Sequence, residues 1–429
     1  MNLVGERLRE ARLAKGLTQG QLAEGIATKG FVCQIERNRA TPSLAKLRVM
    51  AERLGLPLAH FTGDQSTREL TYLSKAAELA VKAGEPARAL GLAEEGLAAP
   101  SSANERGELL RVKGLAHEAL GDLSEALVTY QSAAATAPPD DPQLNAAIYV
   151  EMGTVLQSGE RFNAAIEANL RALGWLDRCL HADPALRSRV LHNLGREYYG
   201  LGEIALADEY FGRALAAATD AESVFRIANA HMSLGVSARA IGDLDRAVEH
   251  CNRALELLRR QGHERFANRV LNNLGDARYA AGRKSEARRL QQRCLERARE
   301  LMDDLEIGIA AGTLARYCLE SNQIAACIEL TRESQAAAHR TGDRLHQALA
   351  IALEGQAFNR QGQVALADRK FRRALMMLSN RQAAGKLAEV CAMYADVLRE
   401  RGNVDRAFAF MRMAADRDFG SLTRLIRIR

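Results

Sequence analysis

The first sixty residues repeat apolar positions with the period of short amphipathic helices. Apolar residues between Leu3 and Leu13 give a first helix one buried side, and Gly16 ends that helix. A second helix is predicted after Thr18, because Thr18 is a good N-cap and Gln21 follows three positions later, as in a capping box. The chain therefore begins with a small helical domain.

A third helix is predicted over residues 29–37, because Thr28 is an N-cap and Val32 and Ile35 face the core. Polar residues occupy its other side, which is the layout of a helix-turn-helix whose second helix enters the major groove of DNA. Gln19, at the start of the preceding helix, and the basic residues after the third helix are placed for phosphate contacts. The predicted DNA-contacting residues are Gln19, Thr28, Lys29, Gly30, Phe31, Cys33, Gln34, Arg37, Asn38 and Arg39.

Beyond this head, one pattern of small residues returns about every 40 positions. It consists of a small residue, a glycine seven positions on, an alanine five beyond that, and a small residue after seven more. The second position of the pattern falls at Gly84, Gly121, Gly159, Gly202, Gly242, Gly282, Asn322, Gly362 and Gly402. Small residues let two helices approach closely, and a glycine ends the first helix of a pair. The pattern predicts about nine helix pairs.

The predicted fold is all-α, with a five-helix head over residues 1–63, a linker over 64–68 and a repeat domain over 69–418. A Pro-rich loop is predicted over 134–145. The last stretch, 419–429, is a basic and apolar tail. An apolar end of a repeat array suggests burial against another subunit, and a strand or helix folded back on its own array is the alternative.

The head resembles the Cro/C1 type (xenobiotic-response-element, XRE type) of helix-turn-helix domain in bacterial regulators. The specific part is Gln-Ile-Glu-Arg at 34–37 followed by Pro-Ser-Leu at 42–44. Cys33 stands where that family usually has Ser, and Asn38 where it usually has Gly; Asn tolerates the left-handed conformation. We assign Glu36 to a salt bridge or cap inside the domain.

The repeats resemble tetratricopeptide repeats (TPR), whose usual step is about 34 residues, so the longer step implies longer helices. The resemblance implies a right-handed α-solenoid with a concave groove. A helix-turn-helix followed by TPR resembles the RRNPP group of sensor regulators, which bind short peptides in that groove.

The groove is expected to be lined by the first helix of each pair, and its central part is rich in Asn and Arg. Asn amides can pair with a peptide backbone, and Arg can hold a carboxylate or a phosphate. The predicted ligand residues are Arg189, Asn193, Arg196, Tyr199, Asn229, Arg239, Arg269, Asn272, Asn273 and Asp276. A peptide or a cyclic-nucleotide-like anion would suit this set; alternatively, these are merely solvated residues of an exposed face.

Charge and cysteine usage narrow the functional class. The net charge is only +6, and residues 1–66 carry ten basic against six acidic side chains, so the basic excess is concentrated in the head. The seven scattered cysteines favour neither a disulfide framework nor a zinc site. We find no apolar run long enough for a membrane span and no signal peptide, and therefore expect a cytoplasmic bacterial protein.

These features favour a homodimeric, sequence-specific transcription regulator that binds double-stranded DNA and whose TPR region senses a ligand and mediates dimerisation. The alternative is a TPR scaffold that recruits a protein partner to DNA without a small ligand. No nucleophile elbow, phosphate loop, metal-ligand spacing or paired carboxylates stand out, so we expect no enzyme activity and no cofactor.

Overall fold

The structure, a computed structural model, describes residues 4–37, 40, 42, 44–56, 61, 65–159, 161–379 and 384–427. Within these residues every regular element is an α-helix, as the all-α prediction requires. The chain divides into two compact units, Met1–Ile148 and Tyr149–Arg429, which are described in turn.

The head in the first unit contains four described helices around one apolar core. They are α1 (Val4–Ala14), α2 (Gln19–Ala23), α3 (Lys29–Glu36) and α4 (Leu44–Leu54). Thr18 and Gln21 form the predicted capping box, with hydrogen bonds of 3.2 and 2.8 Å. The guanidinium of Arg53 on α4 donates to backbone carbonyls at the end of α2, which ties these helices together. The fifth predicted helix lies outside the described residues.

Helix pairs follow the head within the first unit. They comprise α5 (Gln65–Lys82) with α6 (Pro86–Ala98), and α7 (Ala103–Leu120) with α8 (Leu123–Thr136). Because α5 begins at Gln65, most of the predicted linker 64–68 is helical; residue 64 lies outside the described part. Helix α9 (Pro142–Ser158) contains the boundary between the units, so the predicted loop 134–145 is confined to residues 137–141.

The second unit continues the pattern to the end of the chain. Its remaining helices are α10 (Phe162–Leu176), α11 (Pro184–Leu201), α12 (Ile204–Asp220), α13 (Val224–Ala240), α14 (Leu244–Arg260), α15 (Glu264–Ala280), α16 (Lys284–Glu300), α17 (Asp304–Glu320), α18 (Ile324–Arg340), α19 (Arg344–Arg360), α20 (Val364–Ser379), α21 (Ala384–Glu400), α22 (Val404–Asp416) and α23 (Leu422–Arg427). From α11 to α22 each helix packs against the next, and the first helix of each pair also packs against the first helix of the following pair. Across its described residues the chain thus has nine helix pairs, α5 to α22, as predicted.

The small residues of the repeat do what the pattern predicts. A Cβ at Gly195 would lie 2.5 Å from the ring of Phe211 on the partner helix, so only glycine permits this approach. Gly202 ends α11 in the left-handed conformation, with φ of +88°. In the repeat where Asn322 stands in place of this glycine, Asn322 adopts the same left-handed conformation, with φ of +57°. Asn tolerates that conformation better than most side chains.

The tail turns back on its own array. Leu422 and Ile426 of α23 are 1% and 7% exposed, in the same core cluster as Phe410 and Met413 of α22. The sequence left two alternatives for the basic, apolar tail 419–429. Its described part, up to residue 427, agrees with the second alternative, a helix folded back on its own array.

Candidate functional site

Helix α3 of the head is fixed by one cap and two buried side chains. The backbone N–H of Phe31 donates to Thr28 Oγ1 at 3.2 Å, which confirms the predicted N-cap. Val32 and Ile35 are 0% and 1% exposed in the head core. Since both apolar residues point inward, the opposite side of α3 is left to polar residues.

A buried ionic cluster holds α1, α2 and α3 together. Arg12 donates from Nε to Glu36 Oε1 at 2.6 Å and from Nη2 to Oε2 at 3.0 Å, and Gln19 donates to the same Oε2 at 2.7 Å. Burial raises the pKa of Glu36, but the hydrogen bonds from Arg12 and Gln19 outweigh it and leave that pKa lowered. Glu36 therefore has the structural role predicted for it. The bond from Gln19 leaves only its other amide hydrogen for the predicted phosphate contact.

The structure separates the predicted DNA residues into two groups. Those exposed to solvent are Thr28, Lys29, Gly30, Gln34 and Arg37. Phe31 and Cys33 are half-buried; Phe31 packs against the head core, and the ammonium of Lys46 lies 4.9 Å from the centre of its ring. Phe31 thus contributes to the core as well as to the surface. Asn38 and Arg39 lie outside the described residues.

The predicted ligand residues lie on α11, α13 and α15, the first helices of three successive pairs. We call the surface formed by Arg189, Arg196, Asn229, Arg239, Arg269 and Asn273 the first-helix face. Two of its arginines already have partners. Arg189 forms two hydrogen bonds with Glu151, the first from Nη1 at 2.8 Å, and Arg269 Nε lies 2.7 Å from Glu306 Oε1. Both carboxylates are nearly inaccessible to solvent, so these pairs join neighbouring first helices.

Three further predicted residues are engaged in packing. Asp276 accepts a hydrogen bond from the hydroxyl of Tyr317 at 2.8 Å. Asn193 and Asn272 are each only 7% exposed, and Asn193 Nδ2 lies 3.4 Å from Thr154 Oγ1. Because their side chains lie between helices, we leave these three out of the proposed ligand site. Their spacing in the sequence does not distinguish such positions from exposed ones one helical step away.

Other predicted residues have side chains without a hydrogen bond or ion pair to any described residue. They are Arg196, Asn229, Arg239 and Asn273. Tyr199 is half-buried and packs beside the cluster that contains Phe211.

Arg226, about one helical turn before Asn229, belongs with them although it is not among the ten residues predicted from the sequence. Burial lowers the pKa of Arg226, and the like charge of Arg189 lowers it further. Burial likewise lowers the pKa of Arg196, to which Arg269 adds repulsion. Between them, the pKa of His192 falls to about 4 through burial and the charges of Arg196 and Arg226. Burial is the main cause of all three shifts, and like charges add to it, while Glu197 and Asp183 partly offset the shifts of Arg196 and Arg226 respectively.

A buried acid, Glu197, lies next to Arg196 in the sequence and forms no hydrogen bond with it. Burial raises the pKa of Glu197 to about 8, and the hydrogen bond from Asn169 Nδ2, at 2.6 Å, offsets only part of that effect. Glu197 is fully inaccessible to solvent. The raised pKa favours the protonated form of Glu197, although the neighbouring charge of Arg196 acts in the opposite direction.

A small pocket opens between α11 and α13 at this point. It has a volume of about 40 Å³ and is lined by Ser188, Arg189, His192, Arg226, Asn229 and Ala230. His192 Nε2 lies 2.9 Å from the hydroxyl of Ser233, which fixes the ring at the edge of the pocket. The volume exceeds that of a single water and suits a small anionic group.

The described residues offer neither a metal site nor a membrane span. No group of three or more His, Cys, Asp or Glu side chains there could hold a metal ion. No described helix combines the length and the apolar composition that crossing a bilayer requires.

Family models match both parts of the chain. Residues 8–61 match a helix-turn-helix model, and residues 74–142, 188–220 and 226–300 match tetratricopeptide-repeat models. The chain therefore joins a helix-turn-helix domain to TPR, as both resemblances predicted.

A curated relative matches the head. It is an immunity repressor protein of Bacillus phage phi105, 36% identical over 64 residues, which are 15% of this chain and 44% of the relative. The chain thus spans less than half the length of that relative.

Solved structures match most of the chain in fold. A Rap protein complexed with competence and sporulation factor has a TM-score of 0.64 and 15% identity, over 84% of this chain and 100% of the other. The Rap conjugation gene regulator of plasmid pLS20, in complex with a peptide, has a TM-score of 0.56 and 12% identity, over 84% of this chain and 96% of the other. At such identities the likeness concerns the fold.

Proposed function

We propose that this chain is a sequence-specific, DNA-binding transcription regulator whose TPR region senses an anionic ligand. The observation that carries the first half is the surface of α3, where Lys29, Gln34 and Arg37 are exposed on a helix anchored by Val32 and Ile35. In a helix-turn-helix, side chains on the exposed side of the second helix meet base edges in the major groove.

The roles of these side chains follow from their chemistry. The Gln34 amide can donate to and accept from one base, most favourably adenine, and so discriminates sequence. Arg37 follows α3 directly and is placed to hold a backbone phosphate, which contributes affinity without sequence information. The match of the head to a phage repressor supports the same assignment.

In-vitro selection from a random duplex pool tests DNA reading with the full-length chain. We expect enrichment of a common site whose binding exceeds that of a scrambled duplex by about a thousandfold or more at fixed salt. Equal binding of selected and scrambled duplexes would rule out sequence-specific reading.

The ligand half of the proposal rests on the grouping of positive charge around Arg196 and Arg226. Both are close to other cations, and neither has an ion pair among the residues that the structure describes. An anionic group bound here would relieve that repulsion, and Asn229 and Asn273 offer amides to adjacent polar groups. A short peptide with a free carboxylate fits this chemistry, and so does a small phosphorylated signal. One solved structure of similar fold, the Rap conjugation gene regulator of plasmid pLS20, is in complex with a peptide.

Calorimetry on the full-length chain distinguishes the ligand classes. The probes are a pool of short peptides with free C-terminal carboxylates, the same pool amidated, and cyclic dinucleotides. Binding of the free-acid pool alone supports a peptide sensor, and binding of the dinucleotides supports a phosphorylated signal. If none binds, the first-helix face is only a solvated surface and the scaffold alternative replaces the sensor.

We further propose a cytoplasmic protein that dimerises through its TPR region, because two heads can read two half-sites. The matched family models describe binding modules, and the proposal gives the chain no catalytic step.

A further inference from the structure

An exposed apolar stripe runs along α22, the second helix of the last pair. Val404, Phe408 and Met411 are 64%, 67% and 43% exposed, and Ala415 on the same side is also exposed. Their spacing of four, three and four residues is that of the a and d positions of a coiled coil. A Phe exposed to this extent among three other apolar residues is unusual for a helix whose remaining faces are polar or buried.

The tail does not cover this stripe. Leu422 and Ile426 of α23 pack with Phe410 and Met413, which lie on the buried side of α22. The apolar residues near the end of the chain therefore form two separate surfaces. The tail closes the core of the array, whereas the stripe faces solvent on the opposite side.

Charges beside the stripe are arranged for a second copy of the same helix. Asp405 and Arg412 flank it, seven residues or about 10 Å apart, and both are exposed. Neither forms an ion pair with any residue in the described part of the chain. An antiparallel copy centred between residues 408 and 409 places Asp405 opposite Arg412 of the partner subunit, and the two-fold axis repeats this pair. An unrelated protein would have no reason to match both signs at this spacing.

We infer that α22 is the contact of a homodimer, in which two copies of the stripe pack antiparallel with Phe408 at the centre. The inference rests on the dimeric part of the proposed function and names its surface. One helix pair buries less than the roughly 800 Å² per partner of a standard interface. The dimer is therefore weak in free solution and depends on concentration.

Sedimentation of the full-length chain over a concentration series tests this directly. Phe408→Asp places a charge at the centre of the stripe, and we expect it to raise the dimer dissociation constant by at least about tenfold. Tyr72→Asp is the matched control, since Tyr72 is 70% exposed on α5 and lies far from α22 in the sequence. Circular dichroism checks that both variants keep their helices.

A charge swap tests the partner and the direction of packing. Asp405→Arg alone and Arg412→Asp alone should each weaken the dimer, because like charges then meet across the interface. The double variant Asp405→Arg/Arg412→Asp should restore dissociation to within about threefold of the original. That rescue requires a second copy in the antiparallel orientation.

Other outcomes overturn the inference and are distinguishable. If the unmodified chain remains monomeric throughout, there is no dimer and the dimeric part of the proposed function fails with it. If it dimerises but Phe408→Asp has no effect, or if the charge swap does not rescue, the dimer exists and uses a different surface.

Discussion

Two buried carboxyl groups, one in each unit, have opposite electrostatic states. Glu36 in the head accepts hydrogen bonds from Arg12 and Gln19, and its pKa is lowered. Glu197 in α11 accepts only from Asn169 among the described residues, and burial raises its pKa to about 8. The difference follows from the partner. The charge and hydrogen bonds of a guanidinium offset the cost of burying a carboxylate, whereas one hydrogen bond from a neutral amide does not.

The contrast separates structural charge from functional charge. In the head, Arg12 forms an ion pair with Glu36, and this cluster joins three helices. In α11, Glu197 and Arg196 are adjacent in the sequence but form no hydrogen bond, and burial of Glu197 disfavours its charged form. A buried ionic cluster that is internally neutral stabilises the fold, and a cation that the fold leaves unmatched is available to a ligand.

The largest expected effect is on the stability of the head. Arg12→Met should lower the free energy of unfolding of the head by about 3–5 kcal/mol, because Glu36 would then be a buried charge without its partner. Arg196→Met should change stability by no more than about 0.5 kcal/mol, since it removes no ion pair. Hydrogen exchange of the head and array amides measures both. An equal loss of stability in Arg12→Met and Arg196→Met would contradict the distinction between a structural and an unpaired arginine.

The pH dependence of stability should have opposite signs at the two acids. The folded state binds the Glu197 proton more tightly than the unfolded state does, so its contribution to stability is lost as pH rises from about 4.5 to 8, by up to about 1.4 kcal/mol per pH unit. Glu197→Gln should remove this slope. For Glu36, the lowered pKa means that stability is present above its unfolded pKa and is lost as pH falls. The measurement is urea unfolding of the unmodified chain and of Glu197→Gln at pH 5.5 and 7.5. If the free energy of unfolding changed equally with pH in both, Glu197 would be ionised in the folded state.

The exposed polar residues of the head provide the next contrast. Gln34→Ala should reduce the preference for the selected duplex over a scrambled one by about 1–3 kcal/mol, because a base contact is lost. Arg37→Ala should weaken both complexes equally and reduce the salt slope by about one. Fluorescence anisotropy across a salt series separates the two. An unchanged preference in the Gln34 variant would contradict the orientation assigned to α3.

The smallest expected effect concerns the unmatched arginines. Arg196→Gln should weaken binding of a free-acid peptide by about 1–2 kcal/mol and leave the amidated peptide unaffected, since it removes one charge-assisted contact. Arg189→Gln is a poor substitute, because it would also disrupt the pair with Glu151. Arg213, exposed on the second helix α12, provides the control. Equal losses for both peptide forms would place the carboxylate elsewhere.

Local patterns in the sequence predict local structure well. Thr28 caps α3, Val32 and Ile35 face inward, and Asn322 replaces a glycine in the left-handed turn, because each depends on neighbours within a few positions. Glu36 could be assigned a structural role for the same reason: it lies on the inner side of a helix whose exposed side was already defined.

Contacts across repeats could not be predicted in this way. Asn193 and Asn272 are each only 7% exposed, and the side chain of Asn193 lies 3.4 Å from Thr154 on the preceding first helix α9. Asp276 accepts a hydrogen bond from Tyr317, which is 41 positions away. Arg226 lies beside the first-helix face but is not among the residues predicted for it. The repeat fixes which residues are equivalent, but the side chains of the adjacent copy decide which of them stay accessible.

The distribution of thiols gives the head a built-in chemical reporter. Burial raises the pKa of Cys251, Cys294, Cys327 and Cys391 to about 12, so these thiols resist alkylation near neutral pH. Cys33 on α3 and Cys179 after α10 are only partly shielded. A maleimide footprint of the unaltered chain would therefore follow occupancy of α3 through Cys33, with Cys179 as an internal standard, and no label would have to be engineered.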